Sequence, residues 1–370
     1  MNILHTEAST GWGGQDIRVL TECREMSARG HRVVLACAPG CPLWEAAKKE
    51  NEKSGFALEP IIFGRKINAR SVRAVRRLIQ KYQIEIVNTH SSADGWSGAV
   101  AGKSSGAKVV RTRHLSNPLR PNRANYFLYS KLTDFVVTTG EQLKEKLVEI
   151  NKLDASRIGS VPTGVDLKRF DRDSCNRDAF RAEIGLEANE FLWTIVAIVR
   201  RMKGHAVLVE AAALLKDTNA HFAVVGGTTG PSPLPEQLET RAKELGLESR
   251  FHFVGMREDI PQILAASDGF VLPSLWGEGV PQSIAQAQNM MLPVVSTDVG
   301  SIPELVKNEE TGLLVAPDNA EELAVAMRRI MTDTNLSQTL AHNGAELVRS
   351  HYSQDAMIAR METIYQKVLA

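Results

Sequence analysis

A short apolar run followed by an amphipathic helical stretch recurs along both halves of this 370-residue chain, and that alternation excludes most folds. Apolar runs of this kind fit strands buried on both faces, and a helix-length connection to the next run lets neighbouring strands lie parallel. In the first half the runs are Asn2 to Thr6, Arg32 to Ala38, Ile84 to Asn88, Lys108 to Arg111 and Phe135 to Thr138. Helices are expected over Gln15 to Arg29, Ala69 to Tyr82, Gly95 to Ser104 and Glu141 to Ile150. A turn-rich stretch around Pro162-Thr163-Gly164-Val165-Asp166 interrupts the rhythm. It restarts with Leu192 to Val199, Phe222 to Val225, Phe251 to Phe253, Gly269 to Leu272, Val294 to Ser296 and Gly312 to Val315, and from about Leu336 a helical tail is expected to run to the end. A single core rarely serves a chain of this length, so the expectation is an α/β protein with two Rossmann-like doubly wound domains, residues 1–170 and 171–352, facing a central cleft.

The charge balance narrows the function classes. A formal net charge of +1 conceals a split: through Phe170 there are 27 Lys and Arg against 16 Asp and Glu, and beyond it 17 against 27. The first domain is therefore expected to face something acidic. Part of its excess lies in Arg65, Lys66, Arg70, Arg73, Arg76, Arg77 and Lys81, which also read as a solvated helix face. No apolar run is long enough to span a bilayer and no secretory leader is visible, so a cytoplasmic location is expected. Cys23, Cys37, Cys41 and Cys175 are scattered without metal-ligand spacing, and no metal site or nucleic-acid partner is expected.

Ligands of doubly wound sheets collect beyond the carboxyl ends of the strands, so residues at strand exits are the candidates. After the first strand, Thr10-Gly11-Trp12-Gly13-Gly14 opens a helix and lets backbone approach a ligand, although its spacing is not that of a dinucleotide fingerprint. His90 and Asp94 follow the third run. Arg111, Arg113 and His114 follow the fourth and are expected to form a cationic rim. In the second half Arg200-Arg201-Met202-Lys203-Gly204 leaves the first strand, where two cations can neutralise a departing diphosphate. Gly226 ends the next strand, and Met256 and Arg257 follow the third, where a nucleobase edge is expected.

The stretch Pro273-Ser274-Leu275-Trp276-Gly277-Glu278-Gly279-Val280-Pro281 then leads from a buried strand into a helix, with Glu278 in the turn and Gln286 within the helix. Free N–H groups and the positive end of the helix dipole suit a diphosphate there. An ordinary turn with a first-turn acid would read the same way in isolation.

The joint order of these segments resembles family 4 of the retaining glycosyltransferases (GT4). The residues that carry the resemblance are Gly13-Gly14, His90, Pro162-x-Gly164-Val165-Asp166-x3-Phe170, Arg200-x2-Lys203-Gly204, Pro273-Ser274-x3-Glu278-Gly279 and Thr297-Asp298-Val299-Gly300-x-Ile302-Pro303-Glu304. It implies the GT-B fold, with the last helix, about 353–370, crossing back to complete the first domain. It also implies a nucleoside-diphosphate sugar as co-substrate held by the second domain, with Gly13, Gly14, Gly226, Met256, Arg257, Gly279, Val280, Pro281 and Gln286 as its contacts. A glycan or lipid-linked acceptor would be held by the first domain, with Trp12, Asp94, Arg111, Arg113 and His114, and no cofactor or metal would be required.

His90, Glu278, Arg200 and Lys203 match the positions expected to act on the sugar and the leaving diphosphate. Arg201 competes with Arg200, because the turn is about two residues shorter than in the common version. Gln286 stands where the family usually carries a second acid, and an amide there accepts and donates without charge. The expected activity is retaining hexosyl transfer in surface-polysaccharide or lipopolysaccharide assembly, with peripheral contact to an anionic membrane at the inner face of the cytoplasmic membrane. A sugar-nucleotide epimerase of the same architecture and a non-catalytic sugar-nucleotide-binding module are the alternatives.

Overall fold

The computed structural model describes residues 1–64, 67–114, 119–228 and 230–370; Arg65 and Lys66 lie outside the described residues. The chain forms two compact units, one of Met1–Thr163 with Asp355–Ala370 and one of Gly164–Gln354.

In the first unit seven strands, β1 (Asn2–Thr6), β2 (Arg32–Cys37), β3 (Ala57–Pro60), β4 (Ile86–Thr89), β5 (Lys108–Arg113), β6 (Phe135–Thr138) and β7 (Ile158–Ser160), lie in the order β3-β2-β1-β4-β5-β6-β7. Every pairing is parallel. Helices α1 (Gly14–Ala28), α2 (Pro42–Ser54), α3 (Ala69–Tyr82), α4 (Ser92–Ser104), α5 (Arg123–Lys131) and α6 (Glu141–Glu149) connect them. The second unit opens with α7 (Arg177–Glu183) and carries β8 (Phe191–Val196), α8 (His205–Ala213), β9 (Ala220–Val225), α9 (Leu234–Glu244), β10 (Phe251–Gly255), α10 (Ile260–Ala266), β11 (Gly269–Leu272), α11 (Gln282–Asn289), β12 (Val294–Thr297), β13 (Leu313–Val315), α12 (Ala320–Thr332) and α13 (Thr334–His351). Its six strands run β10-β9-β8-β11-β12-β13, again all parallel. The final helix, α14 (Gln354–Leu369), buries Met357, Ile358, Met361 and Tyr365 in the core of the first unit.

Two strands escape the apolar-run reading, β3 and β7. Ala57–Pro60 carries a glutamate and a proline at the sheet edge, and Ile158–Ser160 is only three residues long. The turn-rich stretch resolves into two functions. The units part after Thr163, ahead of Phe170, because Val165 and Phe170 already belong to the core of the second unit. The helical tail is not continuous: at Tyr352-Ser353 it breaks, and Val165 there donates its N–H to Tyr352 at 2.7 Å and accepts from Gln354 at 2.9 Å. Gly164 allows this close pass, since a Cβ on it would stand 2.4 Å from the Ser353 carbonyl oxygen.

In both sheets the first strand of the unit lies inside, with neighbours that continue in opposite directions. β1 sits between β2 and β4, and β8 between β9 and β11. The crossovers leaving such a strand pair diverge to opposite faces, which opens a crevice at the carboxyl ends. Packing under the second crevice is tight. Gly269 pairs in register with Trp193, and a Cβ on Gly269 would stand 2.6 Å from the fully buried indole. Gly269→Ala is therefore expected to destabilise the second unit by about 1–3 kcal/mol through overpacking. Denaturant midpoints with an unchanged m-value would measure it, and an unshifted midpoint would refute it.

Candidate active site

At the crevice of the second unit, three loops lock onto one another. The β8 exit carries Arg200 and a short 3₁₀ turn, Arg201–Lys203, closed by Gly204 at φ +71°. A Cβ on Gly204 would stand 1.8 Å from the carbonyl oxygen of Pro273, so the β8 and β11 exits touch through backbone that only glycine permits. Leu275 donates its N–H to Met202 at 2.8 Å, and the Thr297 hydroxyl at the β12 end donates to Ser274 at 2.5 Å. Gly300, at φ +59°, lies against the Glu278 backbone, and Ser301 donates its N–H to the Glu278 carbonyl at 3.2 Å.

This lattice brings Lys203 and Glu278 together. Lys203 Nζ and the Ser274 hydroxyl both donate to Oε1 of Glu278 at 2.6 Å. The carboxylate is buried and the ammonium half-buried, while Oε2 has no partner among the described residues. Gly279 and Val280 follow, half-buried, and Pro281 stands at the N-cap of α11, where it makes no side-chain cap bond. Gln286 is half-buried within α11. Arg200 is exposed at the rim. A cavity of about 400 Å³ beside it is lined by Arg201, His205, Leu275 and Trp276. His205 was not legible as a site residue. Burial first, and Lys203 second, push its imidazole down to about 4, so it is neutral at physiological pH.

The other donor candidates divide. Gly226, at φ +151°, is required because a Cβ would strike the Ala197 carbonyl at 1.9 Å. Met256 is exposed after β10, but Arg257 is engaged by Asp259 and Glu183 in a forked pair of ion pairs. Its guanidinium ties the β10 exit to the end of α7.

In the first unit the exits of β1 and β4 meet at the crevice. Trp12 is half-exposed, and Cβ atoms on Gly13 or Gly14 would meet nothing within 4 Å. Neither glycine stands at positive φ. Folding does not demand glycine there, and the bare backbone leaves room for close approach.

The cationic rim expected after β5 is not a rim. Arg111 is buried and donates to the Tyr129 hydroxyl at 2.8 Å, Thr89 Oγ1 at 3.1 Å and the Ser91 carbonyl at 2.9 Å. Arg113, also buried, donates to Tyr129 at 3.4 Å. Asp94 turns inward as well. It accepts from Thr6 Oγ1 at 2.7 Å and from the N–H groups of His90 and Ser91 at 3.0 and 2.8 Å, stitching β1 to the start of α4. These residues build the floor of the site.

His90 is buried, and both its ring nitrogens are occupied by other histidines. Its Nε2 lies 2.9 Å from His5 Nδ1, and its Nδ1 lies 3.0 Å from His114 Nε2. Burial lowers all three imidazoles, so they are neutral. His114 is half-buried, and its own Nδ1 has no partner among the described residues.

Glu7, directly after β1, was also missed. It accepts from the Ser9 N–H at 2.7 Å and from Gln15 Nε2 at 2.5 Å. Burial first, and the charge of Asp94 second, push its carboxyl up to about 7 from an ordinary 4.5. Between those values the folded chain holds a proton that the unfolded chain has released, so stability falls as pH rises through the window. Glu7→Gln removes this loss. Its melting temperature is expected to exceed that of the wild type at about pH 8 and to converge with it near pH 4.5. Thermal melts across the range check this, and a constant offset between the two proteins would count against it.

Comparison with known proteins gives the site its family. The profile described as Glycosyltransferase Family 4 matches residues 12–169, and the one described as Glycosyl transferases group 1 matches residues 191–333. The chain is 28% identical over 309 residues to UDP-Gal:alpha-D-GlcNAc-diphosphoundecaprenol alpha-1,3-galactosyltransferase of Escherichia coli, covering 80% of this chain and 79% of that one. It is 27% identical to D-inositol 3-phosphate glycosyltransferase of Corynebacterium glutamicum, covering 63% of this chain and 57% of the relative's length. Among solved structures, a glycosyltransferase from Rickettsia africae superposes with a TM-score of 0.90 at 23% identity, covering 100% of this chain and 98% of that one. HepE of Anabaena in complex with UDP superposes at 0.85 and 21%, covering 99% and 100%. At such identities the structural likenesses establish the fold alone. Parallel sheets, strand-exit motifs and both profiles agree: the chain belongs to glycosyltransferase family 4 and has the two-domain α/β GT-B fold.

Proposed function

We propose that this chain moves a hexose-like sugar from a nucleoside-diphosphate sugar to a hydroxyl of a lipid-linked or surface-glycan acceptor, with retention and without a metal ion, at the inner face of the cytoplasmic membrane. Family membership supports glycosyl transfer. The observation that carries the finer reading is the Lys203–Glu278–Ser274 cluster at the crevice of the second unit, beside the start of α11.

Departure of a nucleoside diphosphate concentrates negative charge on one phosphate, and a half-buried cation stabilises that charge better than a solvated one. Lys203 is held in place by Glu278 before substrate arrives, with Arg200 at the rim and the N–H groups of α11 as further donors. Glu278 spends Oε1 on Lys203 and Ser274 and keeps Oε2 to accept from sugar hydroxyls. A carboxylate tied down in this way is a poor nucleophile. Attack by the acceptor on the face the diphosphate leaves, with the leaving phosphate taking the proton, is the step that fits retention. Gln286 meets the nucleotide as a neutral partner that accepts and donates.

The relative from Escherichia coli is named for a UDP-linked galactose and a diphosphoundecaprenol-linked acceptor, and HepE binds UDP. Both favour a uridine donor here, and the relative from Escherichia coli favours a lipid-linked acceptor. The first unit supports the second point. The exposed face of α3 carries Arg70, Arg73, Arg76 and Arg77. A cavity of about 630 Å³ next to α5 is lined by half-exposed Tyr126, Phe127 and Ile150 together with Arg123 and Lys131. No helix among the described residues is long and apolar enough to cross a membrane, so contact with the bilayer is peripheral in this reading.

Incubation with UDP-, GDP- and ADP-sugars and a lipid-diphosphate-linked acceptor is expected to give acceptor-dependent release of nucleoside diphosphate. Epimerised sugar nucleotide, or binding without turnover, would replace the proposal with another. Lys203→Ala is expected to lower kcat by about 10²- to 10³-fold with the fold intact, and near-normal turnover would remove the diphosphate clamp. Binding to anionic vesicles at low salt is expected to weaken when Arg70, Arg73 and Arg77 are neutralised together. Binding that ignores both salt and these substitutions would rule out the electrostatic contact.

A further inference from the structure

Three histidines from three neighbouring strands form a continuous file in the first unit. His5 lies in β1, His90 just past β4 and His114 just past β5, following the strand order β1-β4-β5. Their rings lie edge to edge, with centroids 5.2 and 5.3 Å apart and interplanar angles of 17° and 29°, and two nitrogen-to-nitrogen contacts of 2.9 and 3.0 Å join them. The inner end meets α1. Nδ1 of His5 stands 3.9 Å from Oε2 of Glu22, whose Oε1 accepts from Arg18 Nε at 2.7 Å. Glu22 Oε2 and His5 Nε2 are buried without hydrogen-bond partners. Besides Glu22, the charged groups acting on the file are Arg18 of α1 and Arg111 of β5.

A neutral imidazole carries one N–H, and each contact in the file needs one donor and one acceptor. Once one ring's tautomer is set, the other two follow, so the file has only two states. In the first, His5 Nδ1–H donates to His90 Nε2, His90 Nδ1–H donates to His114 Nε2, and His114 keeps an Nδ1–H. In the second every proton sits on Nε2, and His114 presents a bare Nδ1.

The surroundings choose between them. The second state buries an N–H at His5 Nε2 with no acceptor, the kind of orphan that folded proteins avoid most strictly. It also leaves the His5 Nδ1 near the Glu22 carboxylate, 3.9 Å away, without a proton. The first state keeps the Nδ1–H of His5, donated to His90, in the field of that carboxylate at 3.9 Å and leaves only an unpaired acceptor inside.

We propose that Glu22, acting through His5 and His90, fixes His114 in the Nδ1–H tautomer, making His114 the ligand-facing hydrogen-bond donor of the first unit. His90, His5 and Glu22 are positioning residues, and the partner of His114 is an oxygen lone pair on the bound substrate. The same atoms do not suit a metal ion. Nitrogens around a tetrahedral zinc stand about 3.3 Å apart, wider than the 2.9 Å contact here, and Arg18 already supplies Glu22 with its cation.

Histidine-selective ¹⁵N labelling of the intact protein, with imidazole shifts assigned through single His→Gln variants, tests the proposal without any activity assay. At about pH 7.5 His5, His90 and His114 are expected as neutral Nδ1–H tautomers. An Nε2–H or doubly protonated His114 would overturn the assignment and leave the glycosyl-transfer reading untouched. Glu22→Gln is expected to move the His114 shifts toward a mixture of tautomers, and a folded variant with unmoved shifts overturns the role of Glu22. Equimolar Zn²⁺ is expected to leave all three rings unchanged.

Two ligand arms locate the accepting oxygen: UDP-, GDP- or ADP-glucose on one side and a soluble alkyl-diphosphate-linked sugar on the other. The arm that moves His114 Nδ1 names the source, and movement by neither overturns the ligand-facing role. In turnover, His114→Asn keeps an amide donor near the position of Nδ1, whereas His114→Gln keeps one near Nε2. The Asn variant is expected to stay within about tenfold of wild type and the Gln variant to fall by about 10²-fold or more. The reverse order would refute the donor assignment, while an equal loss in both would mark the residue as structural.

Discussion

A strand can be followed by a parallel neighbour only if the chain returns to the same end of the sheet, and here every return runs through a crossover on one face or the other. All thirteen strands obey this constraint. It delivers every strand exit of a unit to one edge, and where crossovers diverge, between β1 and β4 and between β8 and β11, that edge opens. Chemistry gathers at these two places because the backbone leaves space and spare N–H groups there. Glu278 and Lys203 are far apart in sequence, yet they meet because β8 and β11 are neighbours.

An opening at a sheet edge is useful only if the loops around it hold still, and the two units solve this differently. In the second unit, backbone locks to backbone. Gly204 and Gly300 sit at positive φ within van der Waals exclusion of Pro273 and Glu278, so a side chain at either position would push the β11 loop away. The Glu278 carboxylate then needs only Lys203 and Ser274 to fix its direction. In the first unit buried polar side chains do the holding. Asp94 ties β1 to α4, and Arg111 lies across the start of α4, where a Cβ on Gly95 would stand 1.7 Å from its Nη1. Buried charges cost desolvation energy and are tolerated when paired and hydrogen-bonded. Asp94 and Arg111 meet that condition through each other's field and through fixed partners.

This difference explains what the sequence made legible. Most strands, their exits and the places of Glu278 and Lys203 at those exits follow from apolar runs and turn residues, whose meaning is local, whereas the return of the last helix to the first unit came only from the family resemblance. The direction of a side chain at a strand exit is not local. Arg111, Arg113 and Asp94 sit where a ligand-facing rim is expected, but each turns inward, and its partners come from other elements: Thr6 from β1, Thr89 from β4 and Tyr129 from α5. The histidine file was invisible for the same reason. His5 is 85 residues from His90 and His90 is 24 from His114, and no spacing rule links them until the order β1-β4-β5 is known.

Gln286 shows where local reading and physical context converge. An acid at this position would add negative charge to a helix whose start is expected to receive a diphosphate, and Lys203 is already committed to Glu278. Besides Lys203, the cations at this crevice among the described residues are Arg200 and Arg201 at the exposed rim, where solvent weakens their hold on a doubly charged leaving group. A neutral amide keeps the hydrogen bonds to hydroxyl groups while sparing that repulsion. In the proposed reaction the substitution therefore bears on which nucleotide is held and how firmly, and leaves the step that breaks the sugar–phosphate bond to Lys203, Glu278 and the start of α11.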